Sequence, residues 1–401
     1  MATYLLKRLL LIIPTLFGIM LFSFVIIQFA PGGPVERMIA QLMGHDSSIV
    51  NRMGGGGGDG LGGAGAAGGQ LGQGAADAVS SKYRGAQGLD PEFIKSLEKQ
   101  FGFDKPAYER FFLMIKNYTC RMTPDGTSSA TSMFRVHIWK TSVGFDCLDF
   151  GKSYFRDISV VHLIKEKLPV SISLGLWMTL LTYLISIPLG IRKAVNDGSK
   201  FDSWTSAVLV VGYAIPGFLF AVLLLILFAG SSFFQWFPSR GLYSDNWEQM
   251  SLFGKIVDYF WHLTLPLIAM AVGSFTAMTF LTKNSFLDEI RKQYVVAARA
   301  KGLNESQVLY GHVFRNAMLL IIAGFPAAFI GAFFSGALLI ETIFSLDGLG
   351  LLSFESIEKR DYPVVFASLY IFSLVGLLVG IISDYVYTLV DPRIDFETRE
   401  V

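Results

Sequence analysis

The chain has 401 residues, of which 52% are hydrophobic and only 16% charged, with a mean hydropathy of +0.49. A soluble domain carries about a quarter charged residues, so the composition cannot supply a water-facing shell for a chain of this length and points to a membrane. Thirty-three basic against thirty-two acidic residues leave a net charge of +1, which offers no field to a nucleic acid; the two cysteines exclude a disulfide scaffold, and nothing resembles a four-ligand zinc site.

Six stretches contain no Asp, Glu, Lys, Arg or His: Leu9–Ala30, Leu168–Ile191, Thr205–Gly230, Leu263–Thr282, Ala317–Ile340 and Val364–Ser383. Each runs for 20 to 26 residues, and a helix needs about 20 to cross the hydrocarbon core. Helices at the surface of soluble proteins keep a charged face toward water, so six membrane spans are predicted. Pro14, Pro188, Pro216, Pro266 and Pro326 lie within or near the ends of these spans, where neighbouring helices can satisfy the freed carbonyls. The first stretch follows Lys7 and Arg8 as a signal peptide would. Its apolar run is too long for one, and Gln28-Phe29-Ala30 before Pro31 makes a poor cleavage site. It reads as an anchor.

The chain therefore divides into a tail with the first span (1–30), a long polar segment (31–167), a core holding the other five spans (168–390) and a short tail (391–401). Thirteen basic residues fall in one set of short segments, from Lys7 and Arg8 through Arg192, Lys283 and Arg315 to Arg399; four, Arg240, Lys255, Lys359 and Arg360, fall in the opposite set. By the positive-inside rule both termini are expected in the cytoplasm and 31–167 outside.

Within the outer segment, Asp90-Pro91 reads as an N-cap followed by proline at the first helical position. Phe93, Leu97 and Phe101 follow at four-residue spacing, Gly102 closes the helix, and a second helix starts near Pro106 with Tyr108, Phe111, Phe112 and Ile115. The region 90–118 is predicted to be a small helical cap. Thirteen of the twenty-one positions in 54–74 are glycine, a composition that cannot offset its own backbone entropy and reads as a linker. Cys120 and Cys147 either pair across this outer segment, as an oxidising compartment would favour, or stay as two free thiols.

Catalytic chemistry is not in evidence. Gly151-Lys152-Ser153 ends like a phosphate-binding loop, but the position that requires the first glycine is Asp146. The five histidines are scattered without a metal-ligand spacing, and no GxSxG elbow occurs. The six spans hold no charge for a proton or ion relay, with only His262 and Asp384 at span edges. If the chain moves a solute, the energy must come from another subunit.

The segment 283–316 is the longest inside loop. Asn284 to Lys301 reads as one helix, with Asp288 and Glu289 early and Arg299 and Lys301 late, an order that complements the helix dipole. Gly302 is a left-handed C-cap, and Asn304 with Gln307 forms a capping pair that opens a second short helix at Glu305. Ala297, Ala298 and Ala300 keep the turn slim enough for close docking. On residues alone, a solvated basic loop obeying the orientation rule is an equal reading.

Val296-Ala297-Ala298-Arg299-Ala300-Lys301-Gly302, with His312 and Arg315-Asn316-Ala317 downstream, resembles the EAA loop of binding-protein-dependent ABC importer permeases, in its oligopeptide and dipeptide version. Val296 stands where the general motif has glutamate. Leu5 to Leu10 with Ile13 to Leu16, Ala30 to Pro34, Asp149 to Ser153, Gly348-Leu349-Gly350, Arg360 to Pro363 and Asp391 to Ile394 follow the same pattern in order. The long outer segment, with Tyr294-Val295-Val296 and Phe325-Pro326, is most similar to the Yej-type branch, which is associated with peptides and peptide–nucleotide antibiotics such as microcin C.

The resemblance implies an all-α, six-span type I importer permease in the bacterial inner membrane, with an enlarged periplasmic first loop and the 283–316 loop as coupling helix. Ala297, Ala298, Arg299, Ala300, Lys301 and Gly302, with Glu305, His312, Arg315 and Asn316, would then face an ATPase. It implies a second homologous permease subunit, cytoplasmic ATPase subunits carrying ATP and magnesium, a periplasmic peptide-binding protein, and no cofactor in this chain. The helices of 93–118 and the acidic loop with Glu341, Asp347, Glu355, Glu358 and Asp361 are candidates for docking the binding protein, the loop's alternative being a solvated surface kept acidic by orientation. A nickel or other small-solute permease, or a stand-alone carrier, are the other readings.

Overall fold

The computed structural model describes residues 2–29, 32–42, 91–119, 121–124, 132–137, 143–230, 233–334 and 338–390. The glycine run 54–74, the Asp90 cap, the Cys120–Cys147 pairing and the tail with Asp391 to Ile394 lie outside the described residues. The chain forms two compact units: Met1–Pro14 with Lys167–Leu351 and Phe372–Val401, and Thr15–Glu166 with Leu352–Ile371.

The helices that build these units are α1 (Ala2–Phe29), α2 (Pro34–Leu42), α3 (Pro91–Gln100), α4 (Ala107–Tyr118), α5 (Val160–Val195), α6 (Lys200–Ala214), α7 (Gly217–Phe228), α8 (Leu252–Ile290), α9 (Gln293–Ala300), α10 (Glu305–Val308), α11 (Phe314–Phe334), α12 (Leu338–Ile343), α13 (Leu349–Lys359) and α14 (Tyr362–Val390). Among the described residues five helices are long and apolar enough to cross a membrane, and a sixth span results if the bent pair α6 and α7 counts as one. The two longest exceed the uncharged stretches that predict them. α5 has 36 residues and α8 has 39, about 54 and 58 Å at 1.5 Å per residue, so both project beyond the hydrocarbon core.

The span expected at 205–230 is broken. α6 and α7 meet at 91° across Ile215 and Pro216. Proline offers no N–H and forces the residue before it out of the helical region; Ile215 sits at φ −82°, ψ 119°. Pro14, Pro169, Pro188, Pro266 and Pro326 stay inside continuous helices.

The larger unit has two apolar clusters. One gathers Leu174 and Met178 of α5, Ala221 and Leu224 of α7, Leu263 to Ala269 of α8, and Ile340 and Phe344. The other joins Ile191 and Ala194 of α5, Met278 and Phe286 of α8, Val295 and Ala298 of α9, and Val313 to Ile321. Gly190 lets α5 approach α8 closely: a Cβ there would lie 2.6 Å from Thr282 Cβ and 2.8 Å from the Thr279 carbonyl oxygen. Arg8 and the Tyr4 hydroxyl, which donates at 3.0 Å, both engage Asp384, so the span-edge carboxylate is paired.

In the smaller unit, α2 and α3 pack through Val35, Ile39, Ile94, Leu97 and Phe101. The inward face of α3 starts at Ile94, 1% exposed, and not at Phe93, 39% exposed. Its end is a Schellman turn, with Gly102 at φ +71° and the Phe103 N–H donating to the Glu98 carbonyl at 2.7 Å. The unit also holds three short strands, which depart from the all-helical expectation: β1 (Arg121–Pro124), β2 (Ser132–His137) and β3 (Val143–Asp149), antiparallel with β3 central.

Candidate coupling site

The loop after α8 is not one helix from 284 to 301. Residues 284–290 complete α8, Arg291 caps it, and a new helix, α9, begins at Gln293. Asp288 and Glu289 thus close α8, where they oppose its dipole, and Glu289 works across the break instead. Its carboxylate pairs with Lys292 and accepts the Tyr294 hydroxyl at 2.7 Å, while Asn316 donates to that hydroxyl at 3.2 Å. Burial, with the Glu289 charge beside it, pushes the Tyr294 phenol above its ordinary pKa.

α9 ends as its residues dictate. The Lys301 N–H donates to the Ala297 carbonyl at 3.1 Å, the Gly302 N–H to the Arg299 carbonyl at 2.9 Å, and Gly302 sits at φ +83°. Asn304 then caps α10 in a reciprocal capping box with Gln307, at 2.8 and 3.1 Å. Arg299 donates to Glu305 at 2.9 Å across the turn. A wide turn through His312 leads into α11, which carries Arg315 and Asn316.

The structure brings the ten sequence-selected residues into one loop and splits them by direction. Ala297, Arg299, Ala300, Lys301, Gly302, Glu305, His312, Arg315 and Asn316 are exposed, whereas Ala298 is buried. Val295 and Ala298, three residues apart, form the inward face of α9 against Val308, Val313 and Ile191. The exposed part is a basic surface on a firmly seated stem.

Sequence reasoning missed the ionic base of this stem. Lys193, 0% exposed at the end of α5, lies 3.0 Å from an Asp202 carboxylate oxygen on α6, and its ammonium also donates to Thr205 and Ser206 at 2.8 and 2.7 Å. The other Asp202 oxygen accepts from Lys283 of α8 at 2.7 Å, and Lys283 reaches Asp197 at 2.9 Å. Counted for orientation alone, Lys193 and Lys283 are structural: they bind three helices through one carboxylate.

The acidic loop is likewise engaged internally. Asp347 pairs with Lys167, Glu355 with Arg156 and Lys359 at 2.9 and 3.0 Å, and Glu358 lies 3.9 Å from Arg37. Asp361 accepts the Ser153 hydroxyl and, at 3.0 Å, the Tyr154 N–H, which joins two motifs 208 positions apart. Glu341 is 2% exposed, accepts the Leu351 N–H at 2.7 Å, and is enclosed by Gly348 and Gly350. A Cβ on Gly348 would stand 2.4 Å from its oxygen, which explains the Gly348-Leu349-Gly350 pattern.

Burial pushes the Glu341 carboxyl from its ordinary 4.5 up to about 7, the Asp347 charge adding to it. Between those values the folded chain holds a proton that the unfolded chain releases, so stability falls as pH rises through that interval and levels off above it. Glu341→Gln is expected to flatten this slope, which reaches at most about 1.4 kcal/mol per pH unit. Thermal inactivation midpoints of purified protein from pH 5 to 8 check it; an unchanged slope in the variant would contradict the assignment.

These features define a class: a multi-span membrane protein with an exposed basic loop seated on an apolar stem and a buried ionic cluster. The family described as the binding-protein-dependent transport system inner membrane component matches residues 186–396, and the chain belongs to that family. It is 58% identical over 401 residues, with full coverage of both chains, to the peptidoglycan transport system permease protein YejB of Agrobacterium fabrum. It is 53% identical over 399 residues, again with full coverage, to the inner membrane ABC transporter permease protein YejB of Escherichia coli O157:H7. The oligopeptide transport system permease protein AppB of Bacillus subtilis is 29% identical over 99% of this chain and 100% of that one. The chain is thus a multi-pass membrane component of an ABC importer, a family that works with a binding protein and an ATPase.

Proposed function

We propose that the chain is one of two homologous permease subunits of an ATP-driven importer that carries oligopeptides or peptide-bearing peptidoglycan fragments into the cytoplasm. The observation that carries this reading is the α9 to α10 turn: a positive-φ glycine and a capping box hold a basic surface outward, while Val295 and Ala298 fix it to α5, α8 and α11. ATPase closure, with ATP and magnesium on those subunits, pushes this surface, and the buried stem moves the spans. The thirteen-to-four bias of basic residues supports a cytoplasmic side for the loop and both termini. The substrate class is supported by the names of the full-length relatives.

The test is reconstitution of the purified importer, with its ATPase, partner permease and binding protein, into proteoliposomes. ATP-dependent accumulation of a labelled oligopeptide or muramyl peptide is the expected result. Nickel uptake without peptide uptake, or peptide uptake that needs no ATP, would overturn the reading.

A further inference from the structure

A cavity of about 670 Å³ lies within the smaller unit, inside the roughly 300–1,000 Å³ range of small-molecule sites. Part of its wall is at membrane depth. Phe24 of α1 and Phe366 of α14 line it, stacked with ring centroids 5.9 Å apart, and both belong to candidate spans. Phe111 of α4 packs on Phe24 at 5.2 Å and on Phe17 at 5.6 Å. At 1.5 Å per residue, Phe24 and Phe17 stand about 8 and 18 Å inside the Phe29 end of α1. α4 therefore lies beside the spans at the depth of a leaflet, and its exposed Tyr108 and Phe112 suit lipid, as on an interfacial amphipathic helix.

The same cavity is charged. Four bases, Lys99 and Arg110 among them, line it with three carboxylates, Asp104 and Asp157 among them. Arg110 is held in place, its guanidinium 4.3 Å over the Phe103 ring and donating to Gln28 at 2.8 Å. The wall also carries Tyr118, 5% exposed and fixed edge-on against Phe150 and Tyr370 at 4.8 and 5.3 Å. Buried polar groups are normally paired. The Tyr118 hydroxyl makes no hydrogen bond among the described residues, yet its oxygen is not one of the fully enclosed unpaired atoms, so it reaches the open space.

We infer that this cavity holds the headgroup of a zwitterionic phospholipid from the surrounding leaflet, its phosphate on Tyr118 and the bases and its ammonium toward the carboxylates. Rings from two spans and charged groups from outside them meet in one space, which is the pairing an amphiphile needs. Four bases against three carboxylates match a headgroup that carries both signs better than a purely anionic one. The depth of Phe24 and Phe366 puts the acyl chains where a bilayer keeps them.

The experiment titrates the complete importer in detergent with a phosphatidylethanolamine that carries a diazirine in one acyl chain, and reads the label on α4 by mass spectrometry after irradiation. Saturable label between Phe111 and Tyr118 is the expected result, displaced more readily by unlabelled phosphatidylethanolamine than by phosphatidylglycerol. Tyr118→Phe, which keeps the ring, should raise the half-saturating concentration at least about tenfold, the worth of a hydrogen bond to a charged oxygen. Tyr108→Phe, outside the cavity, should leave it unchanged. Asn117→Trp, which fills the cavity from its wall, should abolish the saturable label, and it decides the matter if Tyr118→Phe fails to assemble. Wild-type label that does not saturate, or that neither cavity variant changes, overturns the site. Stronger displacement by phosphatidylglycerol overturns the zwitterionic headgroup. Displacement by sn-glycerol 3-phosphate at the same concentration as by lipid assigns the cavity to a soluble phosphate ester and overturns the lipid.

Discussion

Asp202→Ala is expected to lower the stability of the protein by about 3–5 kcal/mol, the penalty for leaving a buried charge without its partner. Asp202 is 5% exposed and Lys193 0%. Among the described residues Asp202 is the carboxylate that faces Lys193, at 3.0 Å. Lys283 keeps Asp197, so the cost falls on Lys193. The thermal midpoint of the purified subunit should drop by several degrees. Asp202→Asn, which retains size and an acceptor for Lys283, should lose less. Adding Lys193→Met to Asp202→Ala should recover most of the loss, because the stranded ammonium is gone. Midpoints for the alanine variant within error of wild type would show that the cluster holds nothing together.

The spans were legible because their signal is composition, and no tertiary contact is needed to exclude charge from a hydrocarbon core. What composition could not say is where each helix ends: α8 starts at Leu252, where the Ser251 side chain caps it by accepting the Gly254 N–H, and runs on to Ile290. The break at Pro216 has a local signal, the Pro216-Gly217 dipeptide that marks turns. Pro188 and Pro266, each followed by leucine, stay within helices, whereas Pro216 divides two. The three-stranded sheet had a signal too, in Pro124-Asp125-Gly126 between runs that alternate polar and apolar residues.

The turn between α9 and α10 was legible for the opposite reason. Gly302, Asn304 and Gln307 act within five residues of one another, so capping chemistry states the geometry directly. The break at Arg291 was not, because Tyr294 and Asn316 stabilise it from 22 positions apart. The same distance effect hid Asp202 with Lys283 and Ser153 with Asp361, 81 and 208 positions apart. Ala298 shows how motif and geometry divide: it stands within the resembling stretch, yet its methyl group fills the stem.

Gly302→Val is expected to cut substrate uptake about tenfold while the subunit still inserts and assembles. Gly302 sits at φ +83°, and a Cβ there would meet nothing within 4 Å. The effect is therefore purely one of backbone conformation. A left-handed residue with a side chain costs about 1–2 kcal/mol, and β-branching adds to it. Relief of that strain would redirect the chain between Lys301 and Asn304, swing Arg299 away from Glu305 and tilt the basic surface off its stem. If the ATPase pushes on this surface, a misplaced turn weakens the push, and 1.36 kcal/mol is a factor of ten. The ladder of variants separates this account from a steric one. Gly302→Asn, which tolerates the left-handed region, should transport nearly as wild type does. Gly302→Ala should fall between, although alanine is the smaller side chain. Uptake per ATP hydrolysed in the reconstituted importer is the measurement. Equal coupling in the valine and asparagine variants would remove Gly302 from the path between motor and membrane.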